Sequence, residues 1–130
     1  MRKFFTALLC LSVLGSFTAS AGVSVFTQKF DDARGVFFTE EDFGIRADGK
    51  SDVSDELQAA LNAIKEERGF GTLYLPEGKY RISRTIYVPG SIRIVGYGKK
   101  RPEIVLARNT PGFDKEETSM MWFTGGIVTN

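Results

Sequence analysis

The sequence predicts a mainly β domain in which one amphipathic helix precedes most of the strands. Three observations predict this class. Apolar residues recur at helical spacing over residues 57–64, and from Gly71 onward apolar and polar residues alternate with a period of two. Short strand-like segments then follow one another, separated by Gly and Pro turns. With 130 residues, the chain holds one domain at most, or part of one.

Residues 1–21 differ from the rest and read as a secretory signal peptide. Arg2 and Lys3 precede an apolar run over 4–17, and Ala19-Ser20-Ala21 has the small residues of a cleavage site. The run is too short for a comfortable membrane span. We therefore expect a secreted or periplasmic protein with no stable membrane span after cleavage. The only cysteine, Cys10, would leave with the leader.

Composition excludes several classes of function. The chain has 17 basic and 16 acidic residues, so no basic excess points to nucleic acid as a partner. It has no histidine, which excludes a Ser-His-Asp triad and histidine-ligated zinc from within these residues. Carboxylates, Lys, Arg, Tyr and hydroxyl groups remain for chemistry.

The chain after the leader divides into a weakly patterned N-terminal extension, 22–35, and a domain, 36–130. Val36-Phe37-Phe38 predicts a short strand, and the Asp- and Gly-rich residues 42–52 predict a turn-rich loop. The helix is expected to begin at Ser54 or Asp52, since either can act as the N-cap, and to end near Arg68.

The helix and the strands are predicted from the spacing of their apolar residues and from the Gly and Pro residues that separate the segments. Gly69 is a natural C′ residue, and the apolar stripe of the helix should face the core. The predicted strands are Thr72–Leu75, Tyr80–Ile82, Thr85–Val88, Ser91–Val95, Glu103–Leu106, Met120–Phe123 and a further one at Gly126–Val128.

Two arrangements of these strands compete, an antiparallel meander and a solenoid whose strands stack on themselves at every turn. Self-similarity favours the solenoid. The segment from Leu73 to Pro76 resembles the one from Ile92 to Val95, and the segment from Ile86 to Val88 resembles the one from Ile104 to Leu106. Short strands repeated at such intervals suit a β-helix.

Several motifs together resemble the N-terminal region of the pectate lyase superfamily, in its rhamnogalacturonase/epimerase-like group with the pectin lyase fold. The resemblance covers about residues 38–106. Ala47, Val53 and Ser54 depart from the family pattern, and Val53 removes a carboxylate. The motifs are Asp42-Phe43-Gly44, Asp48-Gly49, Asp52, Leu57-Gln58-Ala59-Ala60-Leu61, Gly71 to Tyr80, and Gly96-Tyr97-Gly98.

The resemblance implies a right-handed parallel β-helix, a single-stranded solenoid whose first helix caps its open end. About two rungs would be present here, and we expect the chain to be an N-terminal fragment of a longer protein.

The resemblance also implies a polysaccharide-degrading protein, a glycoside hydrolase or polysaccharide lyase in its full-length form. Its partner would be a pectin-like or other plant or microbial glycan. No cofactor is expected, except calcium if the full-length protein is a lyase. The alternatives are a non-catalytic β-helix module for carbohydrate binding or adhesion, and an inactive truncated fragment.

Catalytic residues cannot be assigned from the sequence, and no metal site is expected. Tyr74 and Tyr87 alternate out of phase with the inward apolar positions, so they should point outward and form a sugar platform or pack under a loop. We expect Asp48, Asp52 and Asp55 to serve as turn formers and helix caps, because their spacing does not fit a calcium loop.

Other polar clusters have ordinary structural interpretations. The Gly96-Tyr97-Gly98-Lys99-Lys100 segment lacks the spacing of a phosphate-binding loop and predicts a turn between rungs. The basic residues at 81, 84 and 99–101 predict solvated loops, with contact to uronate carboxylates as the alternative.

Overall fold

The protein is described from a computed structural model that covers residues 22–125. The predicted leader, 1–21, and the predicted strand at Gly126–Val128 lie outside the described residues. The elements are β1 (Val36–Phe37), α1 (Glu40–Phe43), β2 (Asp48–Asp52), α2 (Ser54–Arg68), β3 (Gly71–Pro76), β4 (Lys79–Ile82), β5 (Ile86–Val88), β6 (Ile92–Tyr97), β7 (Glu103–Leu106) and β8 (Met121–Phe123).

The strands form three parallel sheets. The first sheet has the order β1-β3-β6, the second β2-β4-β7, and the third β5-β8. The chain visits the sheets in the same sequence each time, and every pairing between these strands is parallel. This pairing rules out the antiparallel meander and confirms a mainly β, parallel-stranded architecture.

The strand pairs differ from those suggested by self-similarity. Leu73 pairs with Ile94 rather than Ile92, so those two strands were matched correctly but two residues out of register. The match of Ile86 to Ile104 was wrong, since Ile86 pairs with Met121. The long segment between β7 and β8 separates β8 from β5 by more residues than the other strand pairs. A search for one short repeat length therefore misses the pairing of β5 with β8.

The first passage is completed by a helix instead of a strand. Strands β1 and β2 belong to the first and second sheets, and α2 then lies where a strand preceding β5 in the third sheet would stand. The described chain thus makes two complete passages through the three sheets, in line with the predicted two rungs, after a first passage that has strands in only two of them.

Helix α2 has the predicted bounds, although its cap differs in detail. Gly69 adopts a left-handed conformation with φ 75° and donates its N–H to the Lys65 carbonyl. Val53 stands at the N-cap and makes no side-chain cap bond. The Asp52 carboxylate instead accepts from the Ser54 N–H at 2.9 Å and from its hydroxyl at 2.6 Å.

The segment predicted as a loop, 42–52, contains regular structure. Thr39 caps the short α1, whose last two residues lie inside this segment, and β2 pairs with β4 across a register shift. The prediction failed because β2 consists of Asp, Gly, Lys and Ser, which carry no strand signal of their own. Backbone pairing with β4 makes it a strand.

The core lies between the sheets and the inner face of α2. The helix stripe is buried as predicted, and the inward side chains of the strands complete the core. Its fully or nearly fully buried members are Phe38, Ile45, Val53, Leu57, Ala60, Leu61, Ile64, Leu73, Leu75, Tyr80, Ile82, Ile86 and Val88.

The N-terminal extension forms no named strand, and Val23 makes one antiparallel bridge to Lys100. Among residues 22–125, no helix has the length and apolarity to cross a membrane.

Candidate functional site

The outer face of the first sheet is covered by the N-terminal extension. Phe30 stacks on Tyr74 with ring centroids 4.8 Å apart, and Phe37, the neighbour of Tyr74 in β1, stacks on it at 4.9 Å. Phe26 packs edge-on against Phe30. Only 7% of the Tyr74 surface is exposed. This face is therefore closed to an extended ligand at Tyr74.

Asp32 fastens the extension to this sheet. Its carboxylate accepts from the Tyr74 hydroxyl at 2.9 Å and from the Arg34 N–H at 2.9 Å. The backbone and Tyr74 bonds hold the pKa of Asp32 below its usual value, while burial and the Asp32 carboxylate raise the pKa of Tyr74. Tyr74 points out of the sheet as predicted, and of its two predicted roles it takes that of packing under a loop.

The outer face of the third sheet carries an open aromatic pair. Tyr87 and Trp122 are register partners in β5 and β8, and they are 52% and 51% exposed. Register partners in a parallel sheet project to the same side, on strands about 4.8 Å apart. We call Tyr87 and Trp122 the aromatic surface. Aromatic side chains in this setting can stack on the apolar face of a sugar ring.

Helix α2 holds β5 in place through a side chain. The Gln58 amide oxygen accepts from the Tyr87 N–H at 2.8 Å, and its amide nitrogen donates to the Tyr87 carbonyl at 2.8 Å. One side chain thereby supplies both bonds that a neighbouring strand would have made. Sequence reasoning missed this role, because nothing in the helical pattern separates Gln58 from other polar helix residues.

The outer face of the second sheet is open and charged. Lys79 stands in register between Asp48 and Glu103, and its ammonium lies 3.3 Å from the Glu103 carboxylate. At the end of this sheet a groove of about 440 Å³ has Lys50, Arg81 and Arg108 in its lining.

The aspartates considered as a cation site have other partners. Asp48 accepts from the Lys50 and Ser51 N–H groups at 2.7 and 2.8 Å, Asp52 binds Ser54, and Asp55 pairs with Arg84 at 2.8 Å. Asp48 therefore stabilises a turn, and Asp52 caps the start of α2 through Ser54, as predicted. In residues 22–125, no three His, Cys, Asp or Glu side chains are grouped to hold a metal ion.

The ionisation of these groups argues against acid catalysis by them. Backbone hydrogen bonds lower the pKa of Asp48. For Asp52, partial burial opposes ionisation, but hydrogen bonds from Ser54 and Ser83 together with the charge of Arg81 outweigh it, so the pKa is lowered. Both carboxylates are held in the charged state, whereas a general acid needs a raised pKa.

The glycine-rich segment predicted as a turn is one only from Gly98 onward, because Gly96 and Tyr97 continue β6 by pairing with Leu75 and Pro76. Gly98 has φ 123° and donates its N–H to the Phe26 carbonyl at 2.8 Å. The Lys100 N–H bonds the Glu77 carboxylate, and the bonds from Lys100 and Lys99 lower the pKa of Glu77.

The three parallel sheets, with an open aromatic pair on the third and charged residues on the second, define the chain as a mainly β protein of parallel strands. Residues 37–125 match the family model described as rhamnogalacturonase A/epimerase, pectate lyase-like. The chain belongs to this family, and the predicted resemblance is confirmed.

The relatives are proteins named for alginate and mannuronan. The chain is 33% identical over 100 residues to alginate lyase 7 of Azotobacter vinelandii, covering 72% of this chain and 11% of the relative. It is 33% identical over 116 residues to mannuronan C5-epimerase AlgE3 of the same organism, covering 81% and 6%. The chain therefore spans about a tenth or less of the length of these relatives. No solved structure matches.

Proposed function

We propose that this chain is part of a secreted polysaccharide-modifying enzyme that acts on an alginate-type polyuronate by lyase or C5-epimerase chemistry. One observation carries the proposal. The alginate lyase and the mannuronan C5-epimerase align over 72% and 81% of the chain, more than a single motif would give.

We propose further that the three sheets are the sides of a right-handed parallel β-helix and that α2 caps its first end. Parallel crossovers within a sheet are right-handed in about 98% of cases. The strand order supports the coil, and the two bonds from Gln58 to Tyr87 support the cap, because they satisfy a strand edge that has no preceding strand.

Lyase and epimerase chemistry have a common first step. A base removes the C5 proton beside the uronate carboxylate, and positive charge that neutralises this carboxylate makes the proton more acidic. The lyase then expels the C4 oxygen and leaves a double bond, whereas the epimerase returns a proton from the other side. Calcium could supply the neutralising charge in a lyase. Glycoside hydrolysis would need two carboxylates at a defined separation, and the names of the relatives favour the other two reactions.

Within residues 22–125 we identify no catalytic acid or base, so the contribution proposed for this region is contact with the polymer. The full-length protein should be incubated with alginate, polymannuronate and pectate. Ultraviolet absorbance of unsaturated ends reports lyase activity, NMR of the uronate protons reports epimerisation, and reducing ends without absorbance report hydrolysis. Binding without turnover would favour the non-catalytic module, and neither binding nor turnover with any uronate would contradict the proposal.

Tyr87 and Trp122 are proposed as sugar-stacking residues. Trp122→Ala or Tyr87→Ala in the full-length protein should weaken polymer binding about five- to tenfold, because stacking on an aromatic ring contributes about 1 kcal/mol. Tyr87→Phe and Trp122→Phe are the matched controls, since each keeps an aromatic ring at the same place, and they should retain most of the binding. Equal affinities for all variants in isothermal titration would remove the aromatic surface from the proposal.

Secretion is proposed from the leader at residues 1–21. Fractionation of cells expressing the full-length protein should place it in the periplasm or medium, shortened at Ala21. A protein that stays in the cytoplasm and still contains residues 1–21 would contradict this proposal.

A further inference from the structure

A groove lies where the N-terminal extension, the end of α2 and the first sheet meet. It has a volume of about 620 Å³, and an adjoining depression of about 390 Å³ shares three of its residues, Phe70, Gly71 and Thr72. These volumes fall within the usual range of ligand sites. We call the two together the arginine groove, lined by Asp32, Arg34, Arg68, Phe70, Gly71, Thr72, Ser91, Ile92 and Arg93.

Three arginines reach this groove from separate parts of the chain. Arg34 belongs to the N-terminal extension, Arg68 ends α2, and Arg93 lies in β6. Arg93 is the register partner of Thr72, so both project from the outer face of the first sheet. The Arg68 guanidinium donates to the Arg34 carbonyl at 2.7 Å, which ties the extension to the helix end and fixes one wall.

Positive charge in the groove exceeds negative charge. Asp32 is the acidic residue of the lining, and its carboxylate already accepts from the Arg34 N–H and the Tyr74 hydroxyl. In the described part of the chain, the ion pairs are Lys79–Glu103 and Arg84–Asp55, and neither uses an arginine of the groove. Among the described residues, the guanidinium groups of Arg34 and Arg93 are thus outside these ion pairs, and Arg68 has further N–H donors beyond its bond to the Arg34 carbonyl, so the three can bind a ligand anion.

An apolar surface lies between the charges. Phe70 is 60% exposed and belongs to the lining of both parts of the groove, so its ring is accessible to a ligand there. Arginine forks recognise carboxylates in a bidentate geometry, and an aromatic ring stacks on the apolar face of a pyranose. A uronate offers both features in one ring.

We propose that the arginine groove binds a carboxylated sugar, with the arginines on the carboxylate and Phe70 against the ring. The choice of a uronate as ligand rests on the proposed function. The groove borders the covered first sheet and is separate from the aromatic surface on the third sheet. It would act as an anchoring site for the acidic polymer.

The test measures binding to the full-length protein by isothermal titration with mannuronate oligosaccharides and with neutral cello-oligosaccharides of equal length. Arg93→Gln should weaken mannuronate binding roughly tenfold, the effect of losing one charge-assisted contact. Phe70→Ala should weaken it by a few-fold. Arg93→Lys should bind mannuronate more tightly than Arg93→Gln but less tightly than the parent. The difference in affinity between the parent and Arg93→Gln should become smaller at high salt.

Lys115→Gln is the charge-matched control, because Lys115 is exposed in the segment between β7 and β8. Unchanged binding in Arg93→Gln, or equal loss in Lys115→Gln, would overturn the inference. Turnover of alginate is measured in parallel. If alginate is turned over but Arg93→Gln binds mannuronate as tightly as the parent, the proposed ligand site is contradicted and the proposed function is unaffected. Arg93-dependent binding of pectate without alginate turnover supports the groove and contradicts the proposed function.

Discussion

At the scale of single residues, Gln58 joins helix α2 to strand β5 through one side chain. It is a polar helix residue, yet its amide makes both backbone bonds of a missing strand at Tyr87. An edge residue left without these bonds would have to find water against the helix surface.

Gln58→Ala should lower the free energy of unfolding by about 1–2 kcal/mol, because two backbone groups lose their partner. Denaturant unfolding of the purified protein measures this change. Glu66→Ala on the same helix is exposed and should stay within about 0.5 kcal/mol of the parent. An equal effect in both variants would show that Gln58 acts only through the helix.

The residue scale also shows a limit of sequence reasoning. Tyr74 and Tyr87 have the same alternation with apolar neighbours, and both were predicted to point outward. One is covered and the other exposed, because Phe30 lies on Tyr74 from far away in the sequence. Alternation determines the side of a strand, but only the tertiary fold determines what covers that side.

At the scale of elements, the junction of β2 and α2 is held by ionised aspartates. Asp48 shapes β2 through bonds from two backbone N–H groups, and Asp52 binds the first residue of α2. Both have a lowered pKa in the folded protein. Their contribution to stability is therefore complete above the unfolded pKa, about 4, and is lost as the pH falls through the lower folded values.

The midpoint of thermal unfolding should therefore fall as the pH is lowered from about 5 to about 3. Asp52→Asn should flatten part of this dependence and reduce stability at neutral pH by less than about 1 kcal/mol, since the group is exposed and screened. Asp114→Asn, in an exposed segment, is the control and should keep the parent's profile. A profile unchanged by Asp52→Asn would exclude this carboxylate as a cause.

Helices and strands whose own residues show a periodic apolar pattern were predictable from the sequence. A strand that forms only because its backbone pairs with a neighbouring strand was not. Helix α2 has an apolar stripe and a glycine end, and both of its bounds agree with the structure. The six strands predicted from Thr72 to Phe123 all form, with small differences in length. Strand β2 gave no signal because its strand character comes from pairing with β4.

At the scale of the whole molecule, the two ends of the stack differ. Beyond β6, β7 and β8 no further strand is paired within residues 22–125, and inward-facing side chains such as Ile94 and Leu106 are only partly buried. Unpaired edges beside apolar surface promote association between chains.

A protein consisting of residues 22–125 should therefore self-associate in a concentration-dependent way, as sedimentation velocity would show. Leu106→Lys, on the inward face, should shift it toward monomer, whereas Val105→Lys on the outer face should not. Circular dichroism should confirm that both variants keep their β content. A parent that stays monomeric at high concentration would contradict the prediction.

The family could be predicted from the sequence, but the site could not. The motifs that identify the family include residues at the starts of strands, such as Asp48 and Gly71, whose local contacts shape the architecture. The arginine groove depends on Arg34, Arg68 and Arg93, which are far apart in the sequence and form no motif.

The helix in the place of a strand also gives the stack a direction. With Gln58 occupying the edge of β5, a new strand of the third sheet can be added only on the far side, next to β8. Growth of the third sheet is therefore possible from one edge only, and the passage that contains Gln58 precedes, in chain order, the two passages that follow it among the described residues. A chain that emerges N-terminus first would present a finished starting surface before the residues that must pair with it have arrived.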